Sequence, residues 1–291
     1  MPKKGETKPL TFHKNTESLY AAHEKIYPRE VKGRFNSLRK LAVWVLLGLY
    51  YLVAWLPWEG RQAVLFDLPA RKFYIFNFTF WPQDFIYLSW LLIMAALSLF
   101  FFTAIAGRLW CGFACPQTVW TEVFIWMERL VEGGHKDQQR LKKSKWNTNK
   151  VSRTVAKQVL WITFALWTGF TFVGYFTPIK ELGVSVFGWT LGPWELFWIL
   201  FYSLATYGNA GFLREQVCLY MCPYARFQSA MVDKDTLIVT YDKERGEPRL
   251  KGKARKAAGD AAGSCIDCDM CVQVCPTGID IRDGMQYECI G

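Results

Sequence analysis

The chain has 291 residues, of which 52% are hydrophobic and 17% aromatic, with 14 Trp and a formal net charge of +10 at pH 7. Soluble proteins rarely carry this share of aromatics, whereas membrane proteins place Trp and Tyr at their interfaces. The basic excess is read as positively charged cytoplasmic loops rather than as a nucleic-acid surface, because no RNA- or DNA-binding motif accompanies it.

Residues 1–40 form a polar, basic arm carrying Lys3, Lys4, Lys32, Arg34, Arg39 and Lys40. An apolar stretch follows at 41–58. It comes too late for a secretory signal and is read as an uncleaved anchor. Three more stretches follow at 85–106, 159–176 and 194–212, each near the roughly 20 residues a helix needs to cross a bilayer. Between the second and third lie Arg140, Lys142, Lys143, Lys145, Lys150, Arg153 and Lys157. The loop 177–193 has Lys180 as its sole Lys or Arg, and in 59–84 Arg61, Arg71 and Lys72 are offset by Glu59, Asp67 and Asp84. This asymmetry predicts four spans with both termini in the cytoplasm. Residues 41–232 are therefore expected to form a polytopic four-helix bundle, mainly α, that meets the lipid bilayer.

The membrane part repeats itself. Two apolar stretches precede Trp110-Cys111-Gly-Phe-Ala-Cys115-Pro116, and two more precede Val217-Cys218-Leu-Tyr-Met-Cys222-Pro223. Each C-x3-C-P unit follows an arginine, Arg108 or Arg214. Cysteines at i and i+4 share a helical face about 5–6 Å apart, so a pair can hold one metal ion or touch one cluster edge. The proline suits the first turn of a new helix, whose N-terminus favours a thiolate. A single pair would be read as small packing residues; the matched second pair points to redox or metal chemistry. Met221 is a candidate soft copper ligand or a space-filler.

Several further elements are expected. The alternation of Val119, Val123, Trp126, Met127 and Leu130 predicts an amphipathic helix closed by Gly133-Gly134, lying in the interface or packed on the bundle. Glu122 and Glu128 are read as helix-face charges, with a proton relay near the cysteines as the alternative for one of them. A hairpin is expected from 62–66 and 72–76, a short strand at 236–241, and a basic linker at 251–263. These last two make up a segment 233–264 that leads into the final one.

Residues 265–291 open with Cys265-Ile-Asp-Cys268-Asp-Met-Cys271-Val-Gln-Val-Cys275-Pro276, the C-x2-C-x2-C-x3-C-P run of bacterial-type 4Fe-4S ferredoxins. Three thiolates wrap one cubane, and the fourth serves a second cluster. Zinc sites present separated C-x2-C pairs instead. Metal-binding thiolates in this number, nine cysteines in all, imply a reducing compartment. Asp267 and Asp269 are read as solvated loop charges. His13, His23 and His135 all lie in polar segments, which excludes a bis-histidine membrane haem. There is no C-x-x-C-H, Walker or dinucleotide motif.

The motifs Gly107-Arg-Leu-Trp-Cys111-Gly-Phe-Ala-Cys115-Pro-Gln-Thr-Val-Trp, Trp167-Thr-Gly-Phe-Thr-Phe-Val-Gly-Tyr-Phe-Thr-Pro178 and Cys218-Leu-Tyr-Met-Cys222-Pro-Tyr-Ala-Arg-Phe-Gln resemble the CcoG family of cytochrome c oxidase accessory proteins, also called FixG or RdxA. The resemblance implies a polyferredoxin-like protein of the bacterial inner membrane that helps assemble a cbb-type oxidase. The implied activity is reduction of Cu(II) to Cu(I), with oxidase subunits or copper chaperones as partners and an electron donor the sequence does not name. Cys111, Cys115, Cys218 and Cys222 would handle copper. Family members continue into a second ferredoxin run, of which Cys289 stands as the first cysteine here, so truncation is expected. With three usual ligands for one cluster and two, Cys275 and Cys289, for the other, at most one labile 4Fe-4S cluster is expected. Two other functions fit the same motifs: a quinol-dehydrogenase-type electron-transfer subunit, and a copper or iron–sulfur scaffold without turnover.

Overall fold

A computed structural model describes residues 27–250, 252–275 and 280–283. Most of the basic arm and Cys289 therefore lie outside the described residues. The chain is mainly helical. Helix α1 (Arg34–Val53) leads into strands β1 (Pro57–Trp58), β2 (Arg61–Gln62), β3 (Val64–Asp67), β4 (Lys72–Ile75) and β5 (Phe78–Phe80). Then come α2 (Phe85–Ala106), α3 (Leu109–Phe113), α4 (Pro116–Glu132), α5 (His135–Lys143), α6 (Thr148–Val173), α7 (Ile179–Phe187) and α8 (Pro193–Thr206). Wide π-type turns at Tyr207–Phe212 and Val217–Met221 flank the short α9 (Arg214–Gln216). Helices α10 (Pro223–Met231), α11 (Lys243–Gly246), α12 (Gly252–Ala258) and α13 (Met270–Val274) complete the described chain.

The core forms where α4 and α6 meet. Phe124, Met127, Trp161, Ala165 and Ala210 are buried together there, with Val43, Leu47 and Val119 in a second cluster against α1. Helices α6 and α8 cross closely because Gly169 leaves room: a Cβ there would stand 2.3 Å from Ser203 Oγ and 2.5 Å from the Ile199 carbonyl. Helix α4 is thus a central packing element, which decides between the two placements its amphipathic pattern allowed. The reading of its faces needs correction, because Trp126 and Leu130 are exposed while Glu128 is buried.

Helix α2 is different. It is apolar all round, long enough to cross a membrane, and exposed along nearly its whole length. It touches α3 and α10 near its C-terminal end. Among the described residues no other single helix passes the same test of length and composition; α8, continued through its π turn to Phe212, passes only together with residues 214–221, across a 103° bend. The expected bundle of four spans is therefore not confirmed. In α1 the helix ends at Val53, so its apolar part covers residues 41–53, roughly 20 Å of the ~30 Å hydrocarbon thickness. The first turns of α6 carry Lys150, Arg153 and Lys157, which leaves a similarly short apolar remainder.

The expected hairpin is present and larger than anticipated. β3 pairs with β4 from Val64↔Ile75 to Asp67↔Lys72, β5 adds a third antiparallel strand, and β1–β2 form a separate pair. Its turn is set by Asp67, whose carboxylate accepts from the Ala70 N–H at 2.9 Å. Residues 236–241 do not form a strand. They run along the end of α2, where the Leu237 N–H donates to the Ile105 carbonyl at 2.9 Å and Thr236 Oγ1 donates to that of Ala104 at 2.8 Å. These bonds satisfy helix-end carbonyls that would otherwise lack partners, and no neighbouring strand competes for them. The expected linker at 251–263 is also corrected: its Lys-, Arg- and Ala-rich sequence favours helix, and residues 252–258 form α12.

Candidate functional site

The chain turns sharply at the end of α2. Gly107 has φ +50, a conformation that suits glycine, and an added Cβ would meet Ile238 at 3.1 Å. The first cysteine pair follows directly. The Cys115 N–H donates to the Trp110 carbonyl at 2.9 Å, five residues back, and Cys115 then takes an extended conformation as N-cap of α4 with Pro116 in the first turn. The second pair repeats this detail. The Cys222 N–H donates to the Val217 carbonyl at 2.8 Å, and Cys222 is the extended N-cap of α10 before Pro223. Each C-x3-C-P unit is thus a wide turn reaching from the residue before the first cysteine to the second cysteine. Proline ends it by lacking an N–H and by restricting the residue before it. Both second cysteines sit at helix N-termini, as the sequence predicted.

The two repeats meet. Gln228 of α10, 1% exposed, donates from Nε2 to the Gly107 carbonyl at 2.6 Å, and the Cys111 thiol contacts its Oε1 at 3.8 Å. In the other direction Gln117 of α4 donates to the carbonyls of Asn209 at 2.9 Å and Arg214 at 3.2 Å. Tyr224 and Thr103 share a hydrogen bond between α10 and α2. Thr118 Oγ1 donates to the Cys111 carbonyl at 2.5 Å. Burial pushes the Cys111 thiol up to about 11; the Arg108 charge opposes this, while Cys115, Cys218 and Cys222 are near enough to add to it. All four cysteines are free thiols of intermediate exposure. Among the described residues no three His, Cys, Asp or Glu side chains close on one point as a metal site would require. The four cysteines therefore share a neighbourhood without forming a finished tetrahedral cage. Met221 is 61% exposed and does not fill space.

A buried ionic cluster lies beside this neighbourhood. Arg214 Nη2 bonds Glu128 Oε2 at 2.9 Å, and Lys157 Nζ reaches Glu128 Oε1 at 3.6 Å and Glu132 Oε1 at 2.5 Å. Trp161 lies against both cations, at 5.3 Å from Lys157 and 5.5 Å from Arg214, and its indole donates to the Phe124 carbonyl at 3.2 Å. Arg214, matched with Arg108 by the repeat, therefore directs its guanidinium at Glu128. Glu128 is a buried ion-pair partner and not a surface charge. Hydrophobic periodicity could not reveal this cluster, nor the roles of Gln117 and Gln228.

In the ferredoxin segment Cys265 is partly buried, Cys268 and Cys271 are exposed, Cys275 is buried, and none is disulfide-bonded. Asp267 and Asp269 both have positive φ, at 50° and 56°, so the backbone reverses between successive cysteines. Free thiols at these spacings are the donor set a 4Fe-4S cluster takes, so the residues fit the group in kind. The segment is tied to the rest of the chain by the Arg29 N–H, which donates to the Gln273 carbonyl at 2.7 Å. Next to Arg29, Pro28 accepts from Arg129 of α4 at 3.3 Å, and Tyr27 is bonded through its carbonyl to His135 Nδ1 at 2.5 Å.

The 4Fe-4S dicluster domain family matches residues 213–291, and the 4Fe-4S binding domain family matches residues 87–132. The nitrogen fixation protein FixG of Rhizobium meliloti (strain 1021) is 44% identical over 278 residues, covering 94% of this chain and 53% of its own length. Protein RdxB of Cereibacter sphaeroides is 44% identical over 279 residues, covering 94% of this chain and 58% of its own length. Protein RdxA of the same organism is 43% identical over 280 residues, at 94% and 59%. The chain belongs to the FixG/RdxA family. It spans between half and three-fifths of the length of these FixG and RdxA-type relatives. No solved structure matches it. With both 4Fe-4S families on the chain, this FixG/RdxA member is an iron–sulfur protein.

Proposed function

We propose that this chain is the electron-transfer part of a membrane cupric reductase serving assembly of a cbb-type cytochrome c oxidase. The observation that carries the reading is the meeting of the two C-x3-C-P turns, with Cys115, Cys218 and Cys222 in electrostatic reach of the Cys111 thiol. Copper is the substrate: Cu(II) gains one electron and becomes Cu(I). An iron–sulfur cluster supplies that electron when bound, held by Cys265, Cys268 and Cys271 with a fourth thiolate from Cys275 or Cys289. The chain's own residues do the rest. Soft thiolates at Cys111, Cys115, Cys218 and Cys222 favour Cu(I) over Cu(II), so binding pulls the reduction forward. Each thiol that binds loses its proton, which makes copper affinity rise with pH. Gln228 and Thr118 hold the Cys111 turn in place, one at the thiol and one at the carbonyl.

The membrane placement belongs to the same proposal. It has spans at 41–58, 85–106, 159–176 and 194–212, both termini in the cytoplasm, and the cysteine turns near the cytoplasmic end. The bare apolar surface of α2 and the basic residues of α5 and the first turns of α6 support it. Oxidase subunits or copper chaperones would receive the Cu(I).

The test uses the 291-residue chain, purified anaerobically in detergent, reduced and mixed with Cu(II). The Cu(II) EPR signal should disappear with the wild type and persist with Cys111→Ser and Cys218→Ser, while the reduced ferredoxin signal survives in both variants. Copper reduction at wild-type rates in both variants would remove the cysteine turns from the mechanism. A second reading has a specific observation behind it: the match of a 4Fe-4S binding domain to residues 87–132, which contain Cys111 and Cys115. Under that reading the four cysteines hold a cluster, and Cys111→Ser lowers the iron content of the purified chain.

A further inference from the structure

We propose that Arg282 is a positioning residue for the cluster-binding loop. This rests on the reading that Cys265, Cys268 and Cys271 hold a 4Fe-4S cluster. The two residues separating these cysteines in left-handed conformation are Asp267 and Asp269. A non-glycine residue at positive φ is strained unless its surroundings hold it, and aspartate is among the side chains that tolerate the region best. Here the surroundings include one guanidinium that reaches both residues. Arg282 Nη1 bonds Asp267 Oδ1 at 2.5 Å and Asp269 Oδ1 at 2.8 Å, so a single donor corner gathers both reversals of the loop. The other edge of the fork is fixed by Asp280, which accepts from Nε at 2.7 Å and Nη2 at 2.5 Å. The Arg282 side chain is 9% exposed, covered by carboxylates of Asp267, Asp269 and Asp280 that stay partly solvated at 29%, 47% and 26%. Asp267 and Asp269, read from sequence as solvated charges, are its partners.

The geometry requires arginine. A guanidinium presents donors in a rigid plane and can bond Asp280 along one edge while serving the two loop aspartates from the other corner. A lysine ammonium carries the charge without that plane. The charge has its own consequence. A cluster becomes more negative by one unit on reduction, and three carboxylates beside it oppose the incoming electron. Arg282 offsets part of that opposition, as groups outside the ligand set generally tune cluster potential.

The experiment uses the anaerobically reconstituted 291-residue chain and reads iron loss to a chelator, the midpoint potential by EPR-monitored titration, and far-UV circular dichroism. Arg282→Gln should lose iron about tenfold faster or more, the usual cost of removing such a partner, and its midpoint potential should fall. Arg282→Lys should also lose iron faster but keep a potential close to wild type, because charge is retained and geometry is not. Asp280→Asn, which breaks the fork and removes one negative charge, should lose iron faster with a raised potential. Wild-type iron loss and wild-type potential in Arg282→Gln and Asp280→Asn, with unchanged circular dichroism, would overturn the proposal. A wild-type chain that takes up no cluster would instead overturn the underlying reading of the cysteines.

Discussion

Replacing Arg214 by methionine tests whether the buried ionic cluster holds the two repeats together. Arg214 and Glu128 are 7% and 2% exposed, and with Lys157 and Glu132 they form a balanced set of two cations and two anions. Arg214→Met removes one of these two cations and leaves both carboxylates in the buried site. Breaking a buried pair from one side costs about 3–5 kcal/mol, because a charge is left uncompensated away from water. At roughly 2–3 °C per kcal/mol for a chain of this length, the melting temperature should fall by about 6–15 °C. The assay is thermal unfolding in detergent, followed by circular dichroism. The double variant Glu128→Met/Arg214→Met should recover most of the loss, since the remaining Lys157–Glu132 pair is again neutral and apolar groups fill the space. Arg214 lies four residues before Cys218, so the single variant should also raise the exposure of Cys218 to a thiol reagent. Melting of Arg214→Met within about 2 °C of wild type, or a double variant worse than the single, would refute the reasoning.

Three further outcomes are expected. Gly169→Ala forces a methyl group against Ser203 Oγ and the Ile199 carbonyl; parting α6 from α8 should cost about 1–3 kcal/mol in the same melting assay. Burial holds the Cys111 proton up to about 11 against an ordinary value of 9.0. The folded chain therefore keeps a proton that the unfolded chain gives up, the contribution of this group to stability declines as pH rises across that window, and alkylation of Cys111 followed by mass spectrometry should still be climbing above pH 9. Reporter fusions after Lys145 and after Lys251 should both report cytoplasm, and a periplasmic signal from either would reject the proposed topology.

The parts of this protein that were legible in its sequence are those set by short-range rules. The helix break at each Cys-Pro, the end of α4 at Gly133-Gly134, the pairing of β3 with β4 and the ferredoxin spacing all depend on a few adjacent residues. Long-range polar contacts were not legible. Glu128 occupies a buried face of α4, and its partner stands 86 positions later. A periodicity argument sees a charge there and assigns it to solvent. The ion pairs of Asp267 and Asp269 were out of reach for the same reason, since Arg282 lies 15 positions beyond Asp267. The stretch 236–241 has the composition of a strand, but the free carbonyls at the end of α2 claimed its donors. Local preference yields wherever a more distant group offers a buried hydrogen bond that would otherwise be left unmade.

The two cysteine turns show which part of the repeat is kept and which is free to vary. In both, a backbone bond reaches back five residues from the second cysteine, and proline starts a new helix. The helix leading in differs: α2 ends at a positive-φ glycine before α3, whereas α8 unwinds through Tyr207–Phe212 and bends. The side chains that join the halves differ too, with Gln117 just after one proline and Gln228 further along the other helix. A duplicated structural unit would be expected to preserve its packing helices as carefully as its turns. Preservation of the turns alone, with unlike supports built around each, is what selection on the position of the thiols would leave. On that argument the wide turn at each Cys-x3-Cys-Pro is the conserved feature of the repeat, and Gln117 and Gln228 link the two halves around it.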